Sequence, residues 1–328
     1  MIDRMDGLPL NMSKVQPVKN SQGKEESFDF SKPGESIHFI GDYVVKYFAN
    51  KQDVALRIER AQTTLRGFVP EIAFSVDTLF GYRLIEGKTM YATIEEAPST
   101  ADTFFDWCRD EFWNADECDL TRDEKHVFQK ACHQFYYDKT IKRVDAYWEK
   151  VTHEDVPTVV NSTPTPALKD ILEQFDWENL TNGIPSRIHG DLQFDNVIVT
   201  PNTEQPFVLI DWRGDFGGLT AYGDIYYDLA KLYGGLIIAY SHVKKGRFEY
   251  AESGSTISIE LPLSDLLKPI RGRFEQWIIA NGFDLHRIQL LTGLIFLNMS
   301  PLHHSPFDSL LHHLGKATLI QVLSHERA

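Results

Sequence analysis

The residues best suited to chemistry lie between His189 and Asp211. The chain reads H-G-D-L-Q-F-D-N from His189, so Asn196 stands five residues after Asp191, and Asp211 lies in a later I-D-W segment. Asp191 can accept the proton of a hydroxyl group. Asn196 and Asp211 offer the hard oxygen ligands that Mg²⁺ prefers. These side chains predict phosphoryl transfer, which needs a positioned hydroxyl and a neutralised triphosphate more than covalent help from protein.

Two short apolar runs must position these residues. The first, residues 197–199, leads away from Asn196, and the second, residues 207–210, leads into Asp211. A proline and an asparagine between them indicate a turn, so the pattern predicts a two-stranded hairpin. The loop before the hairpin carries Asp191 and Asn196, and we expect the second strand to bring Asp211 back beside them.

The same residues carry a resemblance to a known family. The kinase catalytic loop reads H-R-D-L-x-x-x-N, and here Gly190 replaces the arginine while Asp211 falls where the D-F-G aspartate would. H-G-D-x-x-x-x-N followed by I-D-W resembles the aminoglycoside phosphotransferase and choline kinase superfamily. The resemblance implies an α+β, bilobal, protein-kinase-like fold. It also implies that ATP binds between the lobes with Mg²⁺ on Asn196 and Asp211.

Lys46 and Glu59 are the candidates for holding the nucleotide phosphates. Lys46 lies inside the predicted strand of residues 43–48 and resembles the lysine of V-A-I-K, which contacts the α- and β-phosphates. Glu59 lies in the middle of a predicted helix between Asp53 and Gly67 and would pair with Lys46, as in kinases. The alternatives are an outward-facing strand lysine and a solvated surface acid.

Two further segments are candidates for nucleotide binding. Residues 31–36, which include Ser36, precede the first predicted strand and suit either a loop over the phosphates or an ordinary turn, since they lack a G-x-G-x-x-G pattern. The segment L-I-E-G-K from residue 84 resembles the hinge between the lobes. There the backbone of Ile85 and Glu86 would bind adenine, and Gly87 would supply conformational freedom.

The segment after Asp211 offers supporting residues. G-D-I-Y-Y-D-L-A resembles the G-D-P-x-x-D-L-A pattern of the family, with Ile225 in place of proline, and Asp228 would brace the catalytic loop from a helix. Arg213 and Asp215 follow the metal ligand closely and are candidates for substrate contact. His189 is expected to support the loop rather than react. The chain lacks an A-P-E segment, which disfavours a protein kinase.

Two other groups of residues allow more than one interpretation. Between residues 102 and 119 acids alternate with aromatic residues, so this segment either cages an ammonium group or forms an amphipathic helix with an acidic surface. The amphipathic helix is favoured. The pairs at residues 303–304 and 312–313 are histidines without a nearby cysteine or carboxylate cluster, so surface or capping roles are favoured over a metal site.

Composition bounds the class of protein. The chain has 328 residues, of which 42% are hydrophobic and 24% charged, and its net charge is −14. An acidic chain is not expected to bind nucleic acid, and its charge weakly favours a cationic substrate. Three cysteines give neither a disulfide framework nor a zinc site. No signal peptide or spanning segment is visible, so we expect a cytoplasmic protein with no membrane span.

These observations predict three segments and one reaction. Residues 1–26 are expected to be a flexible leader, 27–86 the nucleotide-binding lobe, and 87–328 the catalytic and substrate-binding lobe. The reaction is transfer of the γ-phosphoryl of ATP to a hydroxyl of a small molecule, with a sugar or glycan precursor favoured. A choline, ethanolamine or aminoglycoside acceptor is the first alternative. A nucleotide-binding regulatory module without turnover is the second.

Overall fold

The computed structural model describes residues 16–19, 25–29, 34–115, 118–151 and 154–325. Its strands in chain order are β1 (Gln16–Lys19), β2 (Glu25–Phe28), β3 (Glu35–Ile40), β4 (Tyr43–Phe48), β5 (Ile72–Val76), β6 (Leu79–Arg83), β7 (Lys88–Thr89), β8 (Thr158–Val160), β9 (Thr163–Thr165), β10 (Pro185–Ser186), β11 (Val197–Val199), β12 (Phe207–Leu209), β13 (Gly223–Asp224), β14 (Glu249–Ser253) and β15 (Thr256–Glu260).

The helices follow the same order. They are α1 (Lys51–Gln62), α2 (Met90–Glu96), α3 (Thr100–Trp107), α4 (Arg122–His133), α5 (Lys139–Val151), α6 (Leu168–Leu172), α7 (Trp177–Thr181), α8 (Ile225–Gly235), α9 (Tyr240–Val243), α10 (Ser264–Ala280), α11 (Leu285–Met299) and α12 (Phe307–His325). Wider π-helical turns, Cys108–Phe112 and Gln134–Asp138, continue α3 and α4.

The first part of the chain is a small lobe in which α1 packs on an antiparallel sheet of order β3-β4-β6-β5. Helix α1 begins after Asn50, whose side chain accepts a hydrogen bond from Gln52 N, and it ends at Gln62. The predicted start at Asp53 and end at Gly67 were therefore wrong by a few residues. Asn50 satisfies one of the free N–H groups of the first turn, which is the role that had been assigned to Asp53.

The second part of the chain is mainly helical, so the predicted α+β, bilobal architecture is confirmed. Strand β7 follows the linker of residues 84–87 directly and pairs with β11 of the catalytic hairpin, with Thr89 opposite Ile198. The linker thus leads from the small sheet straight to the strand that follows Asn196. Helix α11 packs against both α8 and α12, and these three helices form the centre of the large lobe.

The large lobe also contains a sheet that the sequence did not predict, of order β2-β1-β14-β15-β8-β9. Strand β1 lies within residues 1–26, β2 crosses the predicted boundary at residue 26, and β1 pairs in parallel with β14. The described part of the predicted leader is therefore paired strand rather than a loose segment. The rest of the leader lies outside the described residues.

In the described part of the chain, every helix is too short or too polar to cross a membrane.

Candidate active site

The catalytic loop is held by a buried carboxylate. Asp228, in the first turn of α8, accepts hydrogen bonds from His189 N at 2.7 Å and from Gly190 N at 2.8 Å. Trp113 Nε1 lies 3.2 Å from the same carboxylate. Burial raises the pKa of Asp228 to about 6, although these donors act in the opposite direction. The predicted bracing role of Asp228 is confirmed.

His189 supports the loop from inside. Its imidazole is fully buried, and Nδ1 accepts a hydrogen bond from Asp191 N at 3.2 Å. Burial lowers the pKa of His189 to about 4, so the ring is neutral at pH 7. A neutral ring that accepts from the backbone orients Asp191 and has no proton to exchange at this nitrogen. The geometry agrees with a supporting role.

Gly190 explains the difference from the H-R-D pattern. Its φ is +87°, and a Cβ atom at this position would lie 2.6 Å from Cβ of Arg213. A side chain is therefore excluded both by the backbone conformation and by space. The space next to Gly190 is filled by the side chain of Arg213, which comes from the segment after Asp211.

The predicted hairpin forms and brings the two candidate metal ligands together. Strands β11 and β12 are antiparallel, and Ile210 N donates to Asn196 O at 2.9 Å. Asn196 Nδ2 donates to the backbone oxygen of Asp191 at 2.8 Å, which leaves the amide oxygen available for a ligand. Asp211 has φ +62°, a strained conformation that is common at functional sites.

Lys46 reaches across the cleft between the lobes. Its side chain is buried, and Nζ lies 2.6 Å from Asp211 Oδ1. The predicted partner, Glu59, instead accepts a hydrogen bond from Thr220 Oγ1 at 2.8 Å. Glu59 is exposed because the buried face of α1 is formed by Val54, Arg60 and Ala61. The predicted Lys46–Glu59 pair is therefore replaced by a Lys46–Asp211 pair.

Arg60 is a residue of the site that sequence reasoning missed. Its guanidinium is buried and donates to the backbone oxygens of Ile188, Arg213 and Thr220. Burial lowers the pKa of Arg60 to about 10, so it keeps its charge at pH 7. It ties α1 to both segments of the catalytic site. An arginine on a helix normally indicates a solvated face, so the sequence carried no signal for this role.

Lys231 was also missed. It lies on α8, one turn after Asp228, and its Nζ is 2.7 Å from Asp191 Oδ1. Burial alone would lower the pKa of Lys231, but the charge of Asp191 raises it above its ordinary value. Because residues three apart share a helix face, the spacing in D-L-A-K placed Lys231 beside the catalytic loop once Asp228 was assigned to it.

The linker between the lobes has the features expected of a hinge. Gly87 packs against the catalytic hairpin so closely that a Cβ atom would lie 2.3 Å from Val199 O. Ile85 and Glu86 precede it, and no group in the described part of the protein hydrogen-bonds to their backbone. These groups are open to water or to a ligand, and their role with adenine stays a prediction.

Ser36 lies in β3 rather than in a loop. Its hydroxyl is 2.9 Å from His38 Nε2, a neighbour on the same strand face. In an antiparallel sheet, Ser36 and Lys46 point to opposite faces, since Lys46 is paired with Ile37. The predicted role of Ser36 on the phosphates is thus not supported by its position. Residues 31–33 of the predicted phosphate loop lie outside the described residues.

A cavity of about 150 Å³ lies beside the catalytic loop. Its lining includes Asp191, Asn196, Asp211 and Arg213, which the sequence predicted to share one site. Asp215 does not line it and accepts a hydrogen bond from Gly218 N at 2.7 Å, which stabilises its own turn. Of the two residues proposed for substrate contact, Arg213 alone has a suitable position in the described structure.

The described part of the acidic aromatic segment contributes its aromatic side chains to the core. Phe104, Phe105 and Phe112 are fully buried. Two acids of this segment form ion pairs with arginines. Asp102 pairs with Arg273 at 2.9 Å, and Asp110 pairs with Arg109 at 2.6 Å. The favoured interpretation, an amphipathic helix, holds for α3. Residues 116 and 117 lie outside the described residues.

The C-terminal histidines differ from the prediction. His303 and His312 are buried rather than exposed, and His312 stacks on Tyr147 with ring centroids 4.3 Å apart. The apolar packing of α12 against α5 draws the ring into the core, where a neutral imidazole behaves as an aromatic group. No group of three or more histidines, cysteines or carboxylates in the described part of the protein is arranged to hold a metal ion.

Comparisons with known proteins agree with this arrangement. A model of the phosphotransferase enzyme family matches residues 119–250, which contain the catalytic loop, the hairpin and Asp228. No curated protein is significantly similar to the chain.

Solved structures with a similar fold include small-molecule kinases. A choline/ethanolamine kinase family protein from Mesorhizobium loti is 14% identical, with a TM-score of 0.42 over 90% of this chain and 86% of that chain. Ethanolamine kinase from Plasmodium vivax is 12% identical, with a TM-score of 0.44 over 90% and 81%. These likenesses are too remote to indicate an acceptor. The family match confirms the resemblance predicted from the sequence: over residues 119–250 the chain is similar to the phosphotransferase enzyme family.

Proposed function

We propose that the protein transfers the γ-phosphoryl group of ATP to a hydroxyl of a small molecule, with Asp191 as the base. The observation that carries this proposal is the convergence of four side chains at the cleft. Lys46 of the small lobe contacts Asp211 of the large lobe at 2.6 Å, and Asp211 lines one cavity with Asp191 and Asn196. Phosphoryl transfer requires a base, metal ligands and a cation for the phosphates, and these four side chains supply them in one place.

The nucleotide binds beneath the small sheet. Ile37 and Phe39 share a sheet face with Lys46 and are exposed, at 41% and 56% of their surface. Exposed apolar side chains beside a buried lysine suit a base that stacks next to its own phosphates. The free backbone of Ile85 and Glu86 at the end of this sheet suits the polar edge of adenine. In this arrangement Lys46 lies beside the phosphates of the bound nucleotide.

Mg²⁺ fits the residues present. Asn196 and Asp211 give two oxygen ligands, and Mg²⁺ usually takes only one or two protein ligands and completes its octahedron with phosphate oxygens and water. The ion would neutralise phosphate charge when bound. In the structure, Asp211 is held by Lys46 and Asn196 by the Asp191 backbone, so both ligands are oriented in advance.

In the transfer step, Asp191 takes the proton that the acceptor hydroxyl loses. The acceptor oxygen forms a bond to the γ-phosphorus while the bond from that phosphorus to the bridging oxygen breaks, and ADP leaves. The hydroxyl proton passes to Asp191 late in this step, because the transition state is loose. Lys231, 2.7 Å from Asp191, fixes the carboxylate and adds positive charge near the transferred group. The preferred acceptor from the sequence is a sugar or glycan precursor.

Calorimetry and turnover of two variants test these roles. Asp191→Asn should lower kcat by about 10²–10⁴-fold and leave Mg·ATP affinity nearly unchanged, because it removes the base. Asp211→Asn should weaken Mg·ATP binding as well as kcat, and excess EDTA should abolish activity. Asp145→Asn, at an exposed position on α5, is the matched control. If the protein binds nucleotide but forms no ADP with any acceptor tested, the regulatory module is supported instead.

A further inference from the structure

The cavity beside Asp191 is strongly basic although the chain is acidic. Five cationic side chains line it: Lys139, Arg143, Arg213, Lys231 and Lys244. The carboxylates in the same lining are Asp191 and Asp211. Residues of α5, α8, α9 and α11 form much of the lining, and Asp191 and Asn196 of the catalytic loop complete it.

The two carboxylates do not neutralise the whole cluster. Asp191 is paired with Lys231 at 2.7 Å, and Asp211 with Lys46 at 2.6 Å. Lys139, Arg143 and Arg213 form no ion pair with any carboxylate in the described residues. These three residues are called the cavity cations below. With Lys231 and Lys244 they outnumber the carboxylates of the lining, Asp191 and Asp211, by five to two.

The cavity cations are held close together by the fold. Lys139 and Arg143 lie one turn apart on α5, and both residues line the cavity. Lys139 Nζ lies 3.7 Å from the centroid of the Phe135 ring, and Arg213 Cζ lies 5.0 Å from the same centroid. Burial, and then the charges of Arg213, Lys231 and Arg143, lower the pKa of Lys139. Like charges brought together out of water are costly, and an anionic ligand relieves that cost.

Two buried polar atoms of the cavity lining have no partner in the described residues. They are Oδ1 of Asn298 and Nε of Arg213. Asn298 Nδ2 donates to Thr140 Oγ1 at 2.9 Å, so the amide orientation is fixed and Oδ1 remains as an acceptor. Buried polar atoms are rarely left unpaired. A ligand that brings both a hydroxyl donor and an anionic group would satisfy both atoms.

We propose that the acceptor is an anionic hydroxy compound, which carries a phosphate or a carboxylate and is bound through that group by Lys139, Arg143 and Arg213. This proposal rests on the proposed function. It is opposed to an ammonium-bearing acceptor such as choline or an aminoglycoside, since three unpaired cations repel an ammonium group. Guanidinium groups bind phosphate and carboxylate oxygens in a bidentate manner, which gives two of the three residues the right shape.

The test uses four small hydroxy compounds as probes: glycerol 3-phosphate, glycerate, glycerol and choline. Binding of each to the full chain saturated with Mg²⁺ and a non-hydrolysable ATP analogue is measured by calorimetry, and ADP release is measured with ATP. We expect one or both anions to bind and to accelerate ADP release, and glycerol and choline to do neither. The two anionic probes distinguish a phosphate site from a carboxylate site.

Two variants locate the site. Arg143→Gln should weaken binding of the anionic probe by about 10- to 100-fold, the usual loss for one charge-assisted contact. Lys142→Gln removes the same charge from the adjacent, exposed position and should change nothing. Binding of Mg·ATP to Arg143→Gln should match that of wild type. If it is weakened instead, the cavity cations serve the nucleotide and the proposal is wrong.

Other outcomes separate the two proposals. If the protein binds no Mg·ATP, the proposed function itself fails. If it binds Mg·ATP but choline or glycerol binds as tightly as the better anion, or neither anion binds at millimolar concentration, the acceptor class alone is wrong.

Discussion

At the scale of single residues, the sequence predicted which side chains meet but not how they pair. Asp191, Asn196, Asp211 and Lys46 converge because the catalytic loop, the hairpin and the strand are local structures with clear patterns. The partner of Lys46 depends on the rotation of α1, and rotation follows from tertiary packing. A helix turns by about 100° per residue, so the burial of Arg60 leaves its neighbour Glu59 exposed.

The Lys46–Asp211 pair leads to a first prediction. Lys46→Ala should lower kcat/KM by roughly 100-fold or more, because the phosphates lose their position. Glu59→Ala should lower it far less, since Glu59 contacts Thr220 and not Lys46. Steady-state kinetics of the two variants, with circular dichroism to show that both are folded, checks this. Equal losses would mean that Glu59 joins Lys46 once nucleotide is bound.

The carboxylate of Asp228 gives a second prediction. Asp228→Asn replaces one acceptor oxygen with a donor, so either His189 N or Gly190 N loses its partner inside the protein. The free energy of unfolding should fall by about 1–3 kcal/mol, the cost of one unsatisfied buried group. We also expect kcat to fall. Chemical denaturation measures the first effect, and Asp123→Asn, an exposed acid in the first turn of α4, is the control.

At the scale of elements, α1 joins the lobes through one buried charge. The sequence predicted the helix from its apolar spacing, but it gave no reason to bury Arg60. Trp212 Nε1 adds a second link by donating to Arg57 O at 2.8 Å, and its ring packs on Phe80 of β6. The position of Lys46 over Asp211 therefore depends on contacts between α1 and the segment after the hairpin.

A third prediction follows for this link. Arg60→Leu should lower the free energy of unfolding by about 3 kcal/mol or more, because several buried carbonyl groups lose a charged donor together. Activity at a permissive temperature should fall as well, since Ile188 and Arg213 flank the catalytic residues. Arg66→Leu removes an exposed arginine just beyond the same helix and should leave both unchanged. Thermal unfolding and turnover of the two variants decide it.

At the scale of the whole molecule, net charge was a poor guide to the ligand. The chain carries −14, yet the cavity beside Asp191 is lined by five cations and two carboxylates. Other acids, such as Asp102 and Asp110, lie away from this cavity and pair with arginines there. Composition averages over the surface, whereas recognition depends on the few groups that the fold gathers. Lys139 and Arg143 share one face of α5, but Arg213 and Lys231 come from other segments, so the whole cluster could not be predicted from spacing.

The buried histidines of the large lobe give a prediction about pH. Burial, and then His313 and Lys316, lower the pKa of His312 well below its ordinary value of about 6.5. As pH falls below about 6.5, the unfolded chain gains a proton at this residue and the folded protein does not. The free energy of unfolding therefore falls with acidification, by roughly 2 kcal/mol for His312 between pH 7 and pH 5.

His312→Phe should remove this part of the acid sensitivity. Phenylalanine keeps an aromatic ring against Tyr147 and Trp148 and carries no titratable nitrogen. Other buried groups, such as Asp228 with its raised pKa, act in the opposite direction, so the difference between variant and wild type is the informative quantity. The drop in unfolding free energy from pH 7 to pH 5 should be smaller in the variant, whereas His304→Phe, at an exposed position, should match wild type. An unchanged drop in His312→Phe would show that His312 is protonated in the folded protein.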